Sequence, residues 1–319
     1  MPSTIPPHGR PPWNSTEPQR VHKDRVVVVS NPIAGRGGAA GIAERACRAL
    51  EGAGFHAVRV PSSGADRSPM EAAIRAAMPA RAIVICGGDG TVQAVAPVAS
   101  ETGSPVYQVP MGTENLFARE FGMSRDLDRM VGAVRAGATA TVDMARCNGV
   151  TFLLMCSVGP DAAVVHRLAA ARTGAITHLS YGRHVVGELL RPTLDAVSIS
   201  VDGREVVRDQ PGIAVVANSR QYALRIDPAY GADMRDGALD IVFLPARGRI
   251  GLVSWLALSR VRAQSWGRGA VRARGKRVSI TNHGGPVVYQ LDGEAGRGGE
   301  AGALDIEIVP GALRVLTHA

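Results

Sequence analysis

The segment Gly87-Gly88-Asp89-Gly90-Thr91 has the clearest chemical character in the sequence. An apolar run precedes it and a run of helical composition follows, so it connects a predicted strand to the N-terminus of a predicted helix. Consecutive glycines let a backbone approach a phosphate chain closely, and their N–H groups converge on an anion. The segment predicts a phosphate-binding loop, in which Asp89 holds the loop or the water around Mg²⁺. A tight turn that needs only glycine is the structural alternative.

Two further loops of the same type strengthen this prediction. Their residues are Asn31, Pro32 and Gly35 after one predicted strand, and Gly112, Thr113 and Asn115 after another. Three glycine-bearing loops that leave three strands of one sheet are hard to explain by turn chemistry alone. The spacings GxGxxG and GxxxxGK[ST] are absent, so neither the dinucleotide-binding fingerprint nor the P-loop applies.

The segments between these loops alternate between short apolar runs and helical stretches. The predicted strands cover residues 25–30, 55–60, 82–86 and 106–109, and the predicted helices cover 39–50, 69–78, 91–99 and 114–121. Repeated strand, loop and helix is typical of a parallel, doubly wound α/β sheet, in which ligands bind at the carboxyl ends of the strands. We therefore predict a nucleotide-binding α/β domain over residues 25–137.

The pattern changes after about residue 138. Predicted strands cover residues 141–145, 152–157, 196–201, 213–217, 239–244, 278–281, 287–291 and 304–309, and predicted helices cover 162–171 and 176–190. Short strands separated by Gly, Asp or Pro turns predict a β-rich second domain over 138–309, built as a sandwich of antiparallel sheets. We expect residues 310–319 to return to the first domain and residues 1–24 to form a disordered tail.

Composition narrows the classes of protein. The chain has 319 residues, of which 45% are hydrophobic and 20% charged, so it has room for two domains and a core that needs no disulfides. Its four cysteines form no CxxC pair and show no zinc-ligand spacing. The first 22 residues hold six prolines and no apolar signal-peptide core, and the longest apolar runs are of strand length. We therefore expect a cytoplasmic protein.

Taken in order, the loops resemble those of the diacylglycerol kinase catalytic-domain family. This family includes bacterial diacylglycerol kinases, YegS-like lipid kinases, and sphingosine and ceramide kinases. Its loops have the approximate patterns NPxSGxG, GGDGTxxxV and PxGTxNDxAR, which correspond here to NPIAGRG from Asn31, GGDGT from Gly87 and PMGTENLFAR from Pro110. The resemblance continues through residues 159–162, 233–240 and 291–294, and it spans residues 25–317.

The resemblance implies phosphoryl transfer from ATP, with Mg²⁺, to a lipid hydroxyl. The three loops would cradle the nucleotide, and the family keeps its catalytic base in the Asp-Gly-Glu segment, here Asp292 to Glu294. A hydroxyl nucleophile needs a carboxylate that accepts its proton. In an extended chain both acids point to the same face, so one is the base and the other orients it or the metal, with Glu294 preferred as the base. A hairpin turn with two solvated acids is the alternative.

The family also has a structural magnesium site in its second domain. By resemblance, Asp236 would supply a side-chain oxygen here, with carbonyl oxygens from about Asp233 and Ala238. Oxygen ligands suit a hard cation. One departure bears on the substrate: the aspartate that bacterial diacylglycerol kinases have after the loop asparagine is Leu116 here. The lipid acceptor therefore need not be diacylglycerol.

The net charge of +8 and a stretch of nine cations without an acid at residues 247–277 point to an anionic partner. The stretch includes an apolar, Trp-bearing run, so it predicts peripheral contact with anionic lipid, from which the substrate would be taken. An ordinary surface helix with its arginines in water is the alternative. We expect no nucleic-acid partner, because aromatic residues make up only 4% and no binding module is present. An exposed sheet edge in the second domain would allow a homodimer.

Two other functions fit parts of the same pattern. NAD kinases also carry a GGDG loop on a related fold, but the Gly-Thr-x-Asn loop and the Asp-Gly-Glu segment favour the lipid branch. A non-catalytic nucleotide- or lipid-binding regulator would keep the fold, yet here both carboxylates and all three loops are present. The sequence therefore predicts an ATP-dependent lipid kinase.

Overall fold

The computed structural model describes residues 24–31, 38–62, 66–170, 187–188, 191–261, 263, 267–282 and 284–318. The predicted tail up to residue 23, the loop residues 32–37 and most of the predicted helix 176–190 lie outside the described residues. Pro32 and Gly35 belong to that loop, so their predicted part in nucleotide binding stays a prediction.

The first domain is built on four parallel strands. They are β1 (Arg25–Ser30), β2 (His56–Pro61), β3 (Ala82–Gly87) and β4 (Val106–Pro110), in the spatial order β2-β1-β3-β4. The helices are α1 (Gly38–Gly52), α2 (Ser68–Ala76), α3 (Asp89–Thr102), α4 (Leu116–Glu120) and α5 (Leu127–Ala136). Residues 26–29 and 82–86 are fully buried, as expected for apolar strands covered on both faces. The predicted doubly wound sheet is confirmed.

Helix α5 is absent from the elements predicted above, although its ends carry clear signals. Asp126 accepts hydrogen bonds from the backbone N–H groups of Asp128 and Arg129, at 2.9 and 3.2 Å, and so caps the N-terminus. Gly137 ends the helix at φ 65°, in the left-handed region that glycine adopts at no steric cost. These two caps would have been sufficient to predict the helix.

The second domain is a β-sandwich to which helices are added. Its strands are β5 (Thr139–Cys147), β6 (Val150–Phe152), β7 (Met155–Val158), β8 (Ala196–Val201), β9 (Arg204–Ala217), β10 (Leu239–Pro245), β11 (Val271–Gly275), β12 (Arg277–Asn282), β13 (Val287–Leu291), β14 (Glu294–Ala301) and β15 (Ala303–Leu316), and its helices are α6 (Pro160–Ala170) and α7 (Arg249–Arg260). One layer contains β5, β8, β12 and β15, and the other contains β7, β10, β13 and β14. Strand β9 pairs with β8 in the first layer and with β7 and β10 in the second. The predicted β-rich second domain is confirmed.

Strand β15 belongs to both parts of the molecule. Its first half runs antiparallel to β12 and β5 in the sandwich, and its pairing with β5 shifts register between Val309 and Leu313. Beyond that irregularity Val315 lies parallel to Val106 of β4. The two domains therefore share a sheet, which fixes the glycine-bearing edge of the first domain relative to the hairpins of the second. In the described part of the chain, no helix has both the length and the apolar character needed to span a membrane.

Candidate active site

The loop between β3 and α3 packs directly against the loop after β4. A β-carbon built on Gly88 would lie 3.1 Å from Cα of Gly112, and one built on Gly112 would lie 2.8 Å from Cα of Gly88. The second distance does not admit a β-carbon unless the backbone shifts, and the first is tighter than an ordinary contact, so glycine at both positions lets the two backbones approach. The two loops therefore form a surface of backbone atoms without side chains at the carboxyl edge of the sheet, beside the N-terminus of α3. Such a surface suits a phosphate chain.

Asp89 connects these two loops and is half-buried. Its Oδ2 accepts a hydrogen bond from the backbone N–H of Leu116 at 2.9 Å, and its Oδ1 accepts one from Phe117 at 3.0 Å. Burial raises the pKa of Asp89, and the two backbone hydrogen bonds oppose that shift. Of the two roles expected for this residue, the geometry shows that it holds the loop, because both carboxylate oxygens are engaged by the start of α4.

Asn115 fixes the shape of the second loop. Its Oδ1 accepts from the backbone N–H of Gly112 at 2.7 Å, and its Nδ2 donates to the carbonyl of Gly112 at 2.8 Å. The residue adopts φ 49°, which asparagine tolerates better than most residues. Thr113 is exposed at the tip of this loop, within reach of a ligand. Asn115 therefore holds the loop after β4 in shape.

Thr91, Gly87 and Asn31, the other described residues of the predicted cradle, lie at the same edge. Thr91 is buried, and its side chain fills the space beside Gly87, where a β-carbon would lie 2.5 Å from Oγ1 of the threonine. Asn31 lies at the end of β1, where its backbone N–H donates to the carbonyl of Cys86 at 3.4 Å. The described residues of all three loops therefore converge.

Gln108 supports the loop between β3 and α3. It is not among the site residues predicted from the sequence. It is fully buried in β4, and its Nε2 donates to the carbonyl of Gly87 at 3.1 Å. A hydrogen bond from its side chain also favours the charged form of Asp89 and so acts to lower the pKa of that residue. A lone glutamine inside an apolar strand was the available signal, because a buried amide must find hydrogen-bond partners.

The hairpin of β13 and β14 brings Glu294 to this edge. A β-carbon built on Gly90 would lie 2.8 Å from Oε1 of Glu294, so the carboxylate lies against the backbone at the start of α3. Glu294 is half-buried, at the first position of β14. The second domain thus places an acid at the glycine-bearing loop between β3 and α3 of the first.

Asp292 lies in the two-residue turn of the same hairpin and points elsewhere. Its φ of 52° and that of Gly293, 83°, are both left-handed, as in the tight turns that join antiparallel strands. The expectation that an extended chain puts both acids on one face is therefore wrong, because the turn rotates Asp292 inward. The alternative of two solvated acids is also wrong, because Asp292 is only 6% exposed.

The carboxylate of Asp292 binds the segment that leads into β7. It accepts hydrogen bonds from three consecutive backbone N–H groups, those of Leu153 at 2.7 Å, Leu154 at 2.8 Å and Met155 at 3.0 Å. Burial raises the pKa of Asp292 to about 7, against the opposing effect of these three bonds. Asp292 therefore anchors the hairpin to the sandwich and so positions Glu294.

We expect Asp292→Asn to destabilise the protein by about 1–3 kcal/mol, because the amide NH₂ would face one of the three backbone donors. The pKa of Asp292 lies above its unfolded value of about 3.9, so the native state holds the proton more tightly. Its contribution to stability is therefore greatest at low pH and falls as the pH rises through about 7. Denaturant unfolding of both proteins from acid to neutral pH measures the difference, which should shrink toward neutral pH. A difference that stays constant with pH would contradict this account.

An apolar cavity of about 110 Å³ lies in the second domain between α6, α7 and β9. Its described lining is mostly aliphatic, with Asp161 and Tyr222 among its few polar groups. Asp161 is half-buried and accepts hydrogen bonds from the hydroxyls of Ser157 and Tyr222, and desolvation raises its pKa. Asp161 belongs to residues 159–162, through which the resemblance of the sequence to the kinase family continues.

A chain of hydrogen bonds joins this cavity to the hairpin turn. Nε2 of Gln290 donates to Oγ of Ser157 at 2.6 Å and lies 3.4 Å from Oδ2 of Asp161. Oε1 of the same glutamine accepts from the backbone N–H of Gly293 at 2.7 Å. Hydrogen bonds thus connect the polar end of the cavity to the turn that precedes Glu294.

The predicted magnesium site lies on the turn before β10. Oδ1 of Asp236 accepts from the backbone N–H of Ala238 at 3.1 Å, and its other oxygen forms an ion pair with Arg274. Burial raises the pKa of the neighbouring Asp143, and the charges of Asp236 and Asp233 add to that effect. This concentration of negative charge and oxygen donors is compatible with a hard cation. However, no three His, Cys, Asp or Glu side chains converge as metal ligands within the described ranges.

The fold and the site define a two-domain protein in which a nucleotide-type α/β sheet faces an acidic hairpin of a β-sandwich. Two family models match this division. The diacylglycerol kinase catalytic domain matches residues 25–147, and the YegS C-terminal NAD kinase β-sandwich-like domain matches residues 155–317. The chain belongs to the diacylglycerol kinase-like family, as its loops indicated.

Individual relatives agree with this assignment. A Mycobacterium tuberculosis protein (strain H37Rv) named diacylglycerol kinase is 28% identical over 235 residues, which cover 72% of this chain and 76% of the relative. A Synechocystis protein, sll0036, is 26% identical over 159 residues, or 50% of this chain and 37% of the relative. The crystal structure of a diacylglycerol kinase from Bacillus anthracis superimposes with a TM-score of 0.71 at 19% identity, covering 92% of this chain and 97% of that one. The last likeness establishes the shared fold, and family membership supports a kinase function.

Proposed function

We propose that this protein is an ATP-dependent lipid kinase that uses Mg²⁺ and transfers a phosphoryl group to a lipid hydroxyl. The observation that carries the proposal is the contact between Glu294 of the second domain and Gly90 in the phosphate-binding loop of the first. This contact puts a proton acceptor where a phosphate chain would end. Phosphoryl transfer needs this arrangement, because the attacking hydroxyl must lose its proton beside the phosphorus.

The glycine-bearing loops fit a nucleotide, since their bare backbones leave room for phosphates where side chains would not fit. Gly88, Gly90, Gly112 and Thr113 would hold the phosphate chain, while Asp89 and Asn115 keep the two loops in register. ATP supplies the transferable phosphoryl group when bound. Glu294 accepts the proton of the acceptor hydroxyl as the new oxygen–phosphorus bond forms. Asp292 is a positioning residue that fixes the turn before Glu294.

The apolar cavity supports a lipid acceptor. Its described lining includes Val164, Val215, Leu244 and Leu252, which suit an acyl chain, and the few polar groups, Asp161 among them, suit a headgroup. The hydrogen-bond chain through Gln290 connects that polar group to the hairpin of Glu294. We also propose a structural Mg²⁺ at Asp233, Asp236 and Ala238, where the donor atoms are oxygens.

The test is transfer of radiolabelled phosphate from ATP to acceptors in mixed micelles, with and without a chelator of Mg²⁺. The panel contains diacylglycerol, monoacylglycerol, phosphatidylglycerol, sphingosine and ceramide, together with NAD⁺. A labelled lipid whose formation the chelator stops supports the proposal and names the acceptor. Label on NAD⁺ alone would favour the NAD kinase alternative. ATP binding without any labelled product would favour a non-catalytic regulator.

A further inference from the structure

Helix α7 carries an apolar stripe on its outer side. In the part of the chain that the structure describes, four large apolar side chains are exposed, and three of them belong to α7 or follow it directly. They are Ile250, Val253 and Val261, with exposed fractions of 78%, 51% and 69%. Together with the exposed Ala257, their spacing of three, four and four residues puts them on one face of the helix. Such a continuous apolar stripe in water marks an interaction surface.

The opposite face of α7 already has partners. Leu252, Trp255, Leu256 and Ser259 line the apolar cavity. Trp255 is 5% exposed, and its indole N–H donates to the carbonyl of Pro245 at 2.6 Å. This tryptophan is thus an internal anchor rather than part of the lipid-contacting surface that the sequence suggested. The inner face accounts for the packing of the helix, so the outer stripe is not needed to hold α7 in place.

Arginine side chains lie at both ends of the apolar stripe on α7. Arg247 and Arg249 lie at the N-terminus of α7, Arg260 lies at its end and Arg268 follows, and all four are exposed. Arginines at the N-terminus of a helix are repelled by the positive end of its dipole, so they do not serve the stability of α7. No acidic residue lies between positions 247 and 277, and this excess of positive charge along the chain suits an anionic surface.

Two further cations of the basic stretch have internal partners. Arg274 forms ion pairs with Asp236 and Asp240, and Arg272 stacks over the ring of Tyr230 at 4.8 Å. Arg247, Arg249, Arg260 and Arg268 thus flank α7, while Lys276 and Arg277 are exposed at the junction of β11 and β12.

We propose that α7 is an interfacial helix that docks the protein on an anionic lipid bilayer. The stripe of Ile250, Val253, Ala257 and Val261 enters the boundary between headgroups and acyl chains, and the flanking arginines bind anionic headgroups. Because the inner face of the same helix lines the cavity, an acyl chain that leaves the bilayer along α7 reaches the cavity without crossing water. The choice of a bilayer as the partner rests on the proposed lipid kinase function.

The test measures co-sedimentation of the full chain with vesicles, without ATP, so that docking is measured apart from catalysis. We expect binding to vesicles of phosphatidylcholine with phosphatidylglycerol, and little to phosphatidylcholine alone. Replacing Arg249 and Arg260 by Gln should lower binding about fivefold for each arginine, since each is worth about 1 kcal/mol at such a surface. The triple variant I250Q/V253Q/V261Q should lower binding by about tenfold or more, because it removes the apolar contact.

The matched control is R45Q/R48Q on α1, which removes the same charge from exposed positions of the other domain. This variant should bind vesicles like the wild type. Vesicle binding that the α7 variants leave unchanged would overturn the proposal, as would a wild type that binds no anionic vesicles. A dimer in solution that the triple variant dissolves, without vesicle binding, would identify a second copy of the chain as the occupant and also overturn it.

These experiments distinguish failure of the docking proposal from failure of the proposed kinase function. Vesicle binding without any phosphorylated lipid would leave the docking helix in place and reject the proposed function. Phosphorylation of a lipid dissolved in detergent, together with absent vesicle binding, would reject the docking helix alone. Ile250, Val253 and Val261 belong neither to the glycine-bearing loops nor to the lining of the cavity, so the triple variant should keep its activity on detergent-dispersed substrate.

Discussion

Replacing Glu294 by Gln should lower the rate of lipid phosphorylation by about 10²–10⁴-fold, the contribution typical of a positioned general base. The amide has nearly the shape of the carboxylate but cannot accept the hydroxyl proton. Because Glu294 is only half-buried at the start of β14, we expect the variant to fold normally and to keep its affinity for ATP. Steady-state kinetics on the acceptor found in the lipid panel, with calorimetric titration of ATP, measure both quantities.

Glu300→Gln provides the matched control, since Glu300 is an exposed acid on the same strand. Its activity should equal that of the wild type. If E294Q phosphorylates as fast as E300Q while binding ATP and lipid normally, Glu294 is not the base. A loss confined to ATP affinity would instead mean that the carboxylate acts on the nucleotide.

Replacing Gly112 by Ala should separate the two phosphate-binding loops and weaken nucleotide binding by about tenfold or more. The new β-carbon would lie 2.8 Å from Cα of Gly88 and 3.0 Å from Oδ1 of Asn115. The first neighbour is backbone at the end of a buried strand, so it cannot move aside as a flexible side chain would. We also expect a loss of about 1–3 kcal/mol in the free energy of unfolding, as for other overpacked sites.

Gly132→Ala tests whether any added methyl group has this effect. Gly132 is exposed in α5, and no atom lies within 4 Å of a β-carbon built there. Alanine should leave ATP binding unchanged and stabilise the helix by up to about 1 kcal/mol. Calorimetric titration measures the ATP affinity of both variants, and urea denaturation measures their free energy of unfolding. Unaltered ATP affinity in G112A would show that the close approach of the loops plays no part in binding nucleotide.

The parts of the fold that depend on local sequence were predictable. The β-branched run of β1 and the apolar run of β3 match the predicted strands closely, because continuous apolar runs are typical of strands buried on both faces. Strand β14 was not predicted, since its sequence, EAGRGGEA, has a low strand propensity. Its pairing with β13 makes it a strand, and that pairing depends on tertiary structure.

In the candidate site, too, the features set by local sequence were predictable, and those that depend on tertiary structure were not. The glycine-bearing loops could be placed from sequence because they need particular backbone conformations at the ends of strands. The different roles of Asp292 and Glu294 could not, because they depend on a left-handed turn and on three amides near Leu154, far away in the chain. Nor does any sequence pattern show that the inner face of α7 lines a cavity while the outer face meets solvent.

The shared strand β15 also has a consequence for how the protein is made. During synthesis, β1 to β4 leave the ribosome long before Val315, so the edge of β4 that β15 later covers stays open while the whole sandwich is translated. Open strand edges invite pairing with other chains, and contacts between distant residues form slowly. The nascent first domain therefore spends the translation of the second in an aggregation-prone state, and closure of its sheet is among the last events of biosynthesis.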